Sequence, residues 1–180
     1  MKTIIFLLLS QVFYYDYSLF AQNGTDISVS WKTMLRLEGL WTGPCNMILD
    51  SKSYQIKYSL NFRSILNGIG MQMDENFQHT ELGSYQGTNL IGYDPNEKII
   101  HWFSVDNMGT THNHIIRWIN VNRIEMEHQS VQNGKKYTEQ AFIQFRNDQT
   151  FEMQLIAKSD NKTVQELTGT LSKQNKLVMN

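Results

Sequence analysis

Hydrophobic and polar residues alternate along most of the chain beyond Trp41, a pattern typical of strands with one buried and one solvated face. The clearest run spans residues 53–63, where every second side chain is apolar or aromatic. In the preceding run, Trp41, Cys45 and Met47 share one face, which predicts that Cys45 points inward. Similar alternation recurs over residues 123–129, 136–146, 151–158 and 167–171.

Turn-forming residues separate the alternating runs. The signals are Asn67-Gly68, Asp94-Pro95-Asn96, Asn107-Met108-Gly109, Asn133-Gly134, Asn147-Asp148 and Asp160-Asn161. Such residues readily adopt the positive φ values that tight hairpins require. The spacing predicts about nine or ten strands, without the long helical segments that parallel βαβ units need. We therefore expect an all-β fold, an antiparallel up-and-down barrel of about 8–10 strands, because closure removes exposed sheet edges. A two-sheet sandwich is the alternative.

A short helix is expected before the first strand, over residues 28–37. Trp31, Met34 and Leu35 recur there at helical spacing, so their side chains would share one face. Such a helix could cover one mouth of the barrel. The alternative is a frayed N-terminal arm.

The first residues have the pattern of a secretory signal. Lys2 precedes an apolar stretch over 3–13 that is too short to span a bilayer, and Ala21 suits the position before cleavage. Asp16 and Leu19 depart from the usual pattern, which leaves an uncleaved anchor as the alternative. The predicted division is a signal peptide at 1–21, an N-terminal arm with the short helix at 22–38, and a barrel domain at 39–175. We expect a secreted or periplasmic protein with no stable membrane span after cleavage.

Charge and cysteine content narrow the function classes. The formal net charge of −1 provides no basic surface for nucleic acid or anionic lipid. The single cysteine, Cys45, excludes an internal disulfide. It is either a buried small hydrophobic residue or a reactive thiol. Its predicted position on the inward face of the strand favours the buried residue.

Four motifs carry a family resemblance. The segment 37–43, Leu-Glu-Gly-Leu-Trp-Thr-Gly, resembles the G-x-W-x-G opening of lipocalin-like barrels. The segments 61–68, 90–95 and 102–110 resemble, in order, the R-x-x-L-x-G, L-G-Y-D and W-x-D-S-M-G-T motifs of the DUF1579 family of uncharacterised proteins. The last has one extra residue between its Trp and Asp. The resemblance implies a calycin-type barrel, often in exported bacterial proteins, and no established activity.

A related barrel family, nitrobindin, shares the Gly-Trp-Gly opening and binds haem through a histidine near its C-terminal end. Here the last histidine is His128, and Pro44 stands where that family's opening has a further glycine. Haem binding is therefore disfavoured, and we assign no cofactor.

Two histidines and one carboxylate are the candidates for chemistry. His112 and His114 share a strand face and could bind a metal with a third ligand such as His101, His128 or Glu139. The favoured alternative is an exposed, solvated pair, so no metal is assigned. Glu139 shares a face with apolar residues and is either a buried, paired carboxylate or, as favoured, a rim residue that reaches water.

The inward aromatic and methionine residues form either core or the lining of a ligand pocket. The candidate lumen residues are Trp41, Tyr54, Tyr58, Phe62, Met71, Glu139, Phe151 and Met153. Because no G-x-S-x-G, H-E-x-x-H or phosphate-loop motif occurs, we predict a non-enzymatic barrel that binds a small hydrophobic ligand.

Two alternatives are a ligand-free structural or interaction domain with a packed lumen and, less favoured, a barrel enzyme. A lumen of about 300 Å³ or more would distinguish binding from packing. Hydrogen-bond reach between Glu139 and a histidine would favour acid–base chemistry.

Overall fold

The structure is a computed structural model that describes residues 27–174. The predicted signal segment 1–21, residues 22–26 of the arm and residue 175 of the predicted domain lie outside that range. The elements are α1 (Ile27–Leu35), β1 (Gly39–Leu49), β2 (Lys52–Ile65), a 3₁₀ turn (Leu66–Gly68), β3 (Gly70–His79), β4 (Gly83–Asp94), β5 (Ile99–Asp106), β6 (Thr111–Ile119), β7 (Arg123–Gln132), β8 (Lys135–Asn147), β9 (Thr150–Ser159) and β10 (Lys162–Lys173).

The ten strands form a closed antiparallel barrel in simple up-and-down order. Each strand pairs with its neighbours in sequence, and β1 also pairs with β10, which confirms the predicted barrel over the sandwich. All six predicted turns fall at connections between strands. The pattern did not predict the β1–β2, β3–β4 and β6–β7 connections. In the first of these, Asp50 and Ser51 adopt φ of 47° and 68°.

The two ends of the barrel differ. The end that carries the β2–β3, β4–β5, β6–β7 and β8–β9 connections, here called the closed end, is filled by large side chains. Trp41 packs there against Phe151, with ring centroids 4.6 Å apart, and both side chains are fully buried. The opposite end carries the other five connections and is here called the open end.

Helix α1 covers the closed end, as predicted. Trp31 donates a hydrogen bond of 2.7 Å from Nε1 to the carbonyl of Gly68 in the β2–β3 turn. Arg36, which follows the helix, pairs with Asp148 of the β8–β9 turn at 2.9 Å. Met34, on the helix itself, is fully buried. No helix within residues 27–174 combines the length and the apolar character needed to cross a membrane.

The helix ends at Leu35, two residues before the predicted end at 37. Arg36 and Leu37 donate backbone hydrogen bonds to residues three positions back, Thr33 and Met34. This tighter turn ends the α-helix and buries Leu37. The carbonyl of Leu37 then accepts a 2.6 Å hydrogen bond from Nε1 of Trp41, which fixes that side chain in the barrel floor.

Close backbone contact joins β1 to β10. The ladder between them is interrupted at Gly43 and Pro44, because proline has no N–H to donate. A Cβ added at Gly43 would lie 2.1 Å from the Thr170 carbonyl oxygen, so only glycine allows this approach. Cys45, next on the inward face, is 1% exposed, and burial raises the pKa of its thiol to about 11. The interpretation of Cys45 as a buried small hydrophobic residue is therefore confirmed.

We expect Gly43→Ala to lower the free energy of unfolding by about 2 kcal/mol or more, because the new methyl group must displace the backbone of β10. Gly92→Ala is the matched control. It also lies within a strand, but nothing lies within 4 Å of the added Cβ, so its stability should change by less than about 1 kcal/mol. Urea denaturation of both variants measures the difference. Equal stability of the two variants would contradict this account of closure.

Candidate functional site

A cavity of about 390 Å³ occupies the barrel between its middle and the open end. Its walls are mostly apolar, and the carboxylate and histidine side chains of its lining lie on β3, β5, β6 and β8. Of the predicted lumen residues, Tyr58, Glu139 and Met153 line it. Trp41, Phe62, Met71 and Phe151 are buried in the barrel but fill its closed end and do not line the cavity, and neither does Tyr54. Alternation predicts which face is inward but not the height along the barrel axis.

Glu75 of β3 is the centre of a first polar group in the cavity, which the sequence analysis missed. Its carboxylate accepts hydrogen bonds from the hydroxyls of Tyr58 and Tyr85 and, at 3.0 Å, from Nδ2 of Asn89. Asn89 in turn accepts a 2.8 Å hydrogen bond from Nε1 of Trp102. We call these five residues the Glu75 cluster. The signal was present in β3, where Glu75 falls on the same alternating face as Met71, Met73 and Phe77.

Burial raises the pKa of Glu75. Hydrogen bonds from Tyr58, Asn89 and Tyr85 act in the opposite direction, and the negative charge of Glu139 raises the pKa further. The net direction is upward, so Glu75 holds its proton more strongly than an exposed glutamate does.

Glu139 of β8 is the centre of a second group, here called the Glu139 cluster, with His112, His114, His128 and Tyr137. Its Oε2 lies 3.1 Å from Nδ1 of His112, and its Oε1 lies 3.2 Å from Nε2 of His114. The Tyr137 hydroxyl donates to Oε2 at 3.1 Å. Because His112 and His114 lie on β6, the carboxylate on β8 reaches them across β7, which carries His128.

This arrangement overturns two of the favoured expectations. His114 is 6% exposed and Glu139 is 4% exposed, so neither a solvated histidine pair nor a rim carboxylate describes them. The physical reason is that both strands turn these faces toward the lumen, where one nitrogen of each imidazole lies against the carboxylate. The less favoured alternative, a buried and paired Glu139, is confirmed.

The charges in the Glu139 cluster are coupled. Burial acts to raise the pKa of Glu139, but hydrogen bonding to His112 and the proximity of His114 outweigh it, and the pKa is lowered. The same hydrogen bond raises the pKa of His112. Burial lowers the pKa of His128, whose Nδ1 lies 3.1 Å from the carbonyl oxygen of Asn113 and whose ring stacks on His112.

The two clusters face each other across the lumen. Strands β3 and β8 are five positions apart in either direction around the ten-strand ring, so Glu75 and Glu139 lie on opposite walls. A molecule in the cavity would therefore have a protonation-prone carboxyl on one side and a carboxylate with imidazoles on the other. Asp94, which the sequence places in a turn, and Asp106 each accept hydrogen bonds from backbone amides of their own turns.

A fold of this kind, a closed antiparallel barrel with one plugged end and a central cavity, defines a lipocalin-like, or calycin, protein. The chain belongs to the DUF1579 family, described as "Protein of unknown function (DUF1579)", whose model matches residues 30–173. The resemblance stated from the sequence motifs is thus confirmed. No curated protein matches the chain.

Two solved structures show a similar fold. Rv2717c from M. tuberculosis superposes with a TM-score of 0.63 at 11% identity, over 81% of this chain and 98% of that one. The S-type phycobiliprotein lyase CPES from Guillardia theta gives a TM-score of 0.54 at 10% identity, over 85% and 95% of the two chains. At these identities the likeness concerns the fold alone.

Glu75→Gln provides a test of the raised pKa. A raised pKa contributes stability that is present below the unfolded pKa of about 4.5 and is lost as pH rises through the folded pKa. Glutamine cannot ionise, so the variant should gain stability relative to the native protein as pH rises from 4.5 through neutrality. Urea denaturation across this range, in chelator, measures the difference, and the histidine contributions common to both proteins cancel. A pH-independent difference, or one that falls with pH, would contradict the assignment.

Proposed function

We propose that this protein is an exported carrier that binds one small amphipathic molecule inside the barrel. The observation that supports this best is the cavity of about 390 Å³, which exceeds the lower bound of about 300 Å³ for ligand pockets. A packed structural barrel needs no such space, since protein interiors pack with few voids larger than a water molecule.

The lining of the cavity supports an amphipathic rather than a purely apolar ligand. Leu60, Met73 and Leu167 provide apolar surface, while the Glu75 and Glu139 clusters place hydrogen-bonding groups on opposite walls. A few polar groups in a mostly apolar pocket fix the orientation of a ligand and select among ligands of similar size. The predicted signal at 1–21 supports export.

Acid–base catalysis is the second candidate, because Glu139 and His112 lie within hydrogen-bond reach inside the lumen. The carrier proposal is favoured over it for two reasons. Both carboxylate oxygens of Glu139 already lie against partners in the cluster, and no enzyme motif accompanies them in the sequence. A carrier releases its ligand chemically unchanged, whereas an enzyme converts it.

We expect native mass spectrometry of the protein, purified gently from the exported fraction of its own cells, to show an added mass that denaturation removes. The denatured chain should begin at Gln22, because the predicted cleavage follows Ala21. The released molecule is then incubated with fresh protein. Its recovery unchanged supports the carrier, and its conversion supports the enzyme. A chain that still carries residues 1–21 would contradict the predicted cleavage.

A large side chain inside the lumen should weaken ligand binding. Ala141 lines the cavity, whereas its neighbour Gln140 is exposed on the other face of β8. We expect Ala141→Phe to weaken binding of the neutral dye Nile red by at least about 10-fold, and Gln140→Phe to leave it unchanged. Fluorescence titration in the presence of a chelator measures both. Equal dye affinity in the two variants would place the dye outside the barrel and contradict the proposal.

A further inference from the structure

We propose that the Glu139 cluster is a binding site for a divalent transition-metal ion of the zinc type, held by the imidazoles of His112 and His114 and the carboxylate of Glu139. The three residues each offer one ligand atom, and these atoms all lie within 4.8 Å of one another. All three residues line the cavity. The proposal extends the proposed function and does not depend on an organic ligand.

The donor atoms lie close enough together to surround one small ion. Ligand atoms about 2.0–2.1 Å from zinc at the corners of a tetrahedron lie about 3.3 Å apart. Nδ1 of His112 lies 3.1 Å from Oε2 of Glu139, and Nε2 of His114 lies 3.2 Å from Oε1, so each nitrogen is about this far from one of the two carboxylate oxygens. A carboxylate and two neutral imidazoles also match the ligand types that zinc prefers, and they carry one negative charge toward a divalent cation.

The hydrogen bonding of His114 provides an independent observation. Neither nitrogen of His114 makes a directed hydrogen bond to any described residue, although Nε2 lies 3.2 Å from Glu139. The residue is only 6% exposed, so water does not compensate fully. A buried polar atom without a hydrogen bond costs roughly 1–3 kcal/mol. A metal ion at this point would turn the Nε2 lone pair from a cost into a ligand bond.

Neighbouring groups hold the proposed ligands in place. Tyr137 donates a hydrogen bond to Glu139, and outer hydrogen bonds of this kind orient the ligands of metal sites. His128 stacks on the His112 ring, with centroids 4.7 Å apart, and restricts its rotation. Three protein ligands leave a fourth position for water or a bound molecule, as in open zinc sites.

A second group of ligand-type residues provides the control. Asp94, Glu97 and His101 also bring their ligand atoms within 4.8 Å, but at the closed end and outside the cavity. The Glu97 side chain is 58% exposed, and Asp94 already accepts backbone hydrogen bonds in its turn. Exposed acidic groups of this kind are common without an ion, so we expect no specific binding there.

The test is calorimetric titration of the chelator-stripped full-length protein with Zn²⁺ alone and with Co²⁺ alone, whose visible absorption reports its coordination. We expect one ion per chain with a dissociation constant of about 1 µM or lower. His114→Asn and Glu139→Gln should each weaken binding at least about 100-fold. His101→Asn should bind as the native protein does. Circular dichroism checks that each variant folds.

A readout on the native protein covers the case in which a variant fails to fold. Zn²⁺ should shift the imidazole ¹⁵N signals of His112 and His114 and leave that of His79 at the end of β3 unchanged. The proposal is overturned if the native protein takes up neither ion, if His114→Asn and Glu139→Gln bind normally, or if binding is lost only in His101→Asn. Nile red binding is measured in chelator, so failure of the metal site leaves the carrier proposal standing.

Discussion

The pairing of the first strand with the last is the constraint on which the rest of the structure depends. Ten strands in simple sequence would leave two exposed edges, and the β1–β10 ladder removes both. The ladder holds although proline interrupts it, because Gly43 lets the backbones of the two strands approach closely. Without the pairing of β1 with β10, the inward faces of the strands would not enclose a common lumen. The Glu75 and Glu139 clusters would then be exposed to bulk water.

Closure also determines how polar groups behave inside. In a lumen shielded from water, a carboxyl group must be neutral or paired with a partner. Glu75 and Glu139, on opposite walls, show one case each. Glu75 is surrounded by neutral donors and retains its proton more strongly, whereas Glu139 is ionised against imidazoles. The packed side chains around Trp41 fill the closed end, so both glutamates lie nearer the open end, where the cavity leaves space for a ligand. One architecture therefore provides two electrostatically distinct walls.

The fold could be predicted from the sequence because its signals are local. Alternation in β2 and β8, the glycine and asparagine turns and the Trp31 helix all depend on neighbours in the chain. The site could not be predicted to the same extent. Glu139 contacts His112 because the register of β6, β7 and β8 places the two residues at nearby positions along the barrel axis. Alternation predicts the inward face of a strand but not the position along the axis. Phe151 and Met153 show the same limit, since both point inward but only Met153 reaches the cavity. The alternation in β3 does predict that Glu75 points inward, because it shares a face with Met71, Met73 and Phe77.

The strand count determines where the described chain begins and ends. With an even number of strands in up-and-down order, α1 and the end of β10 lie at the same closed end, where Lys173 pairs with Trp41. Lys173 also donates a hydrogen bond to the carbonyl of Arg36, directly after the helix. Among the described residues, only hairpins between strands surround the mouth of the lumen. The described chain therefore enters and leaves the barrel on the sealed side, and its two ends can be altered there without a direct change to the mouth.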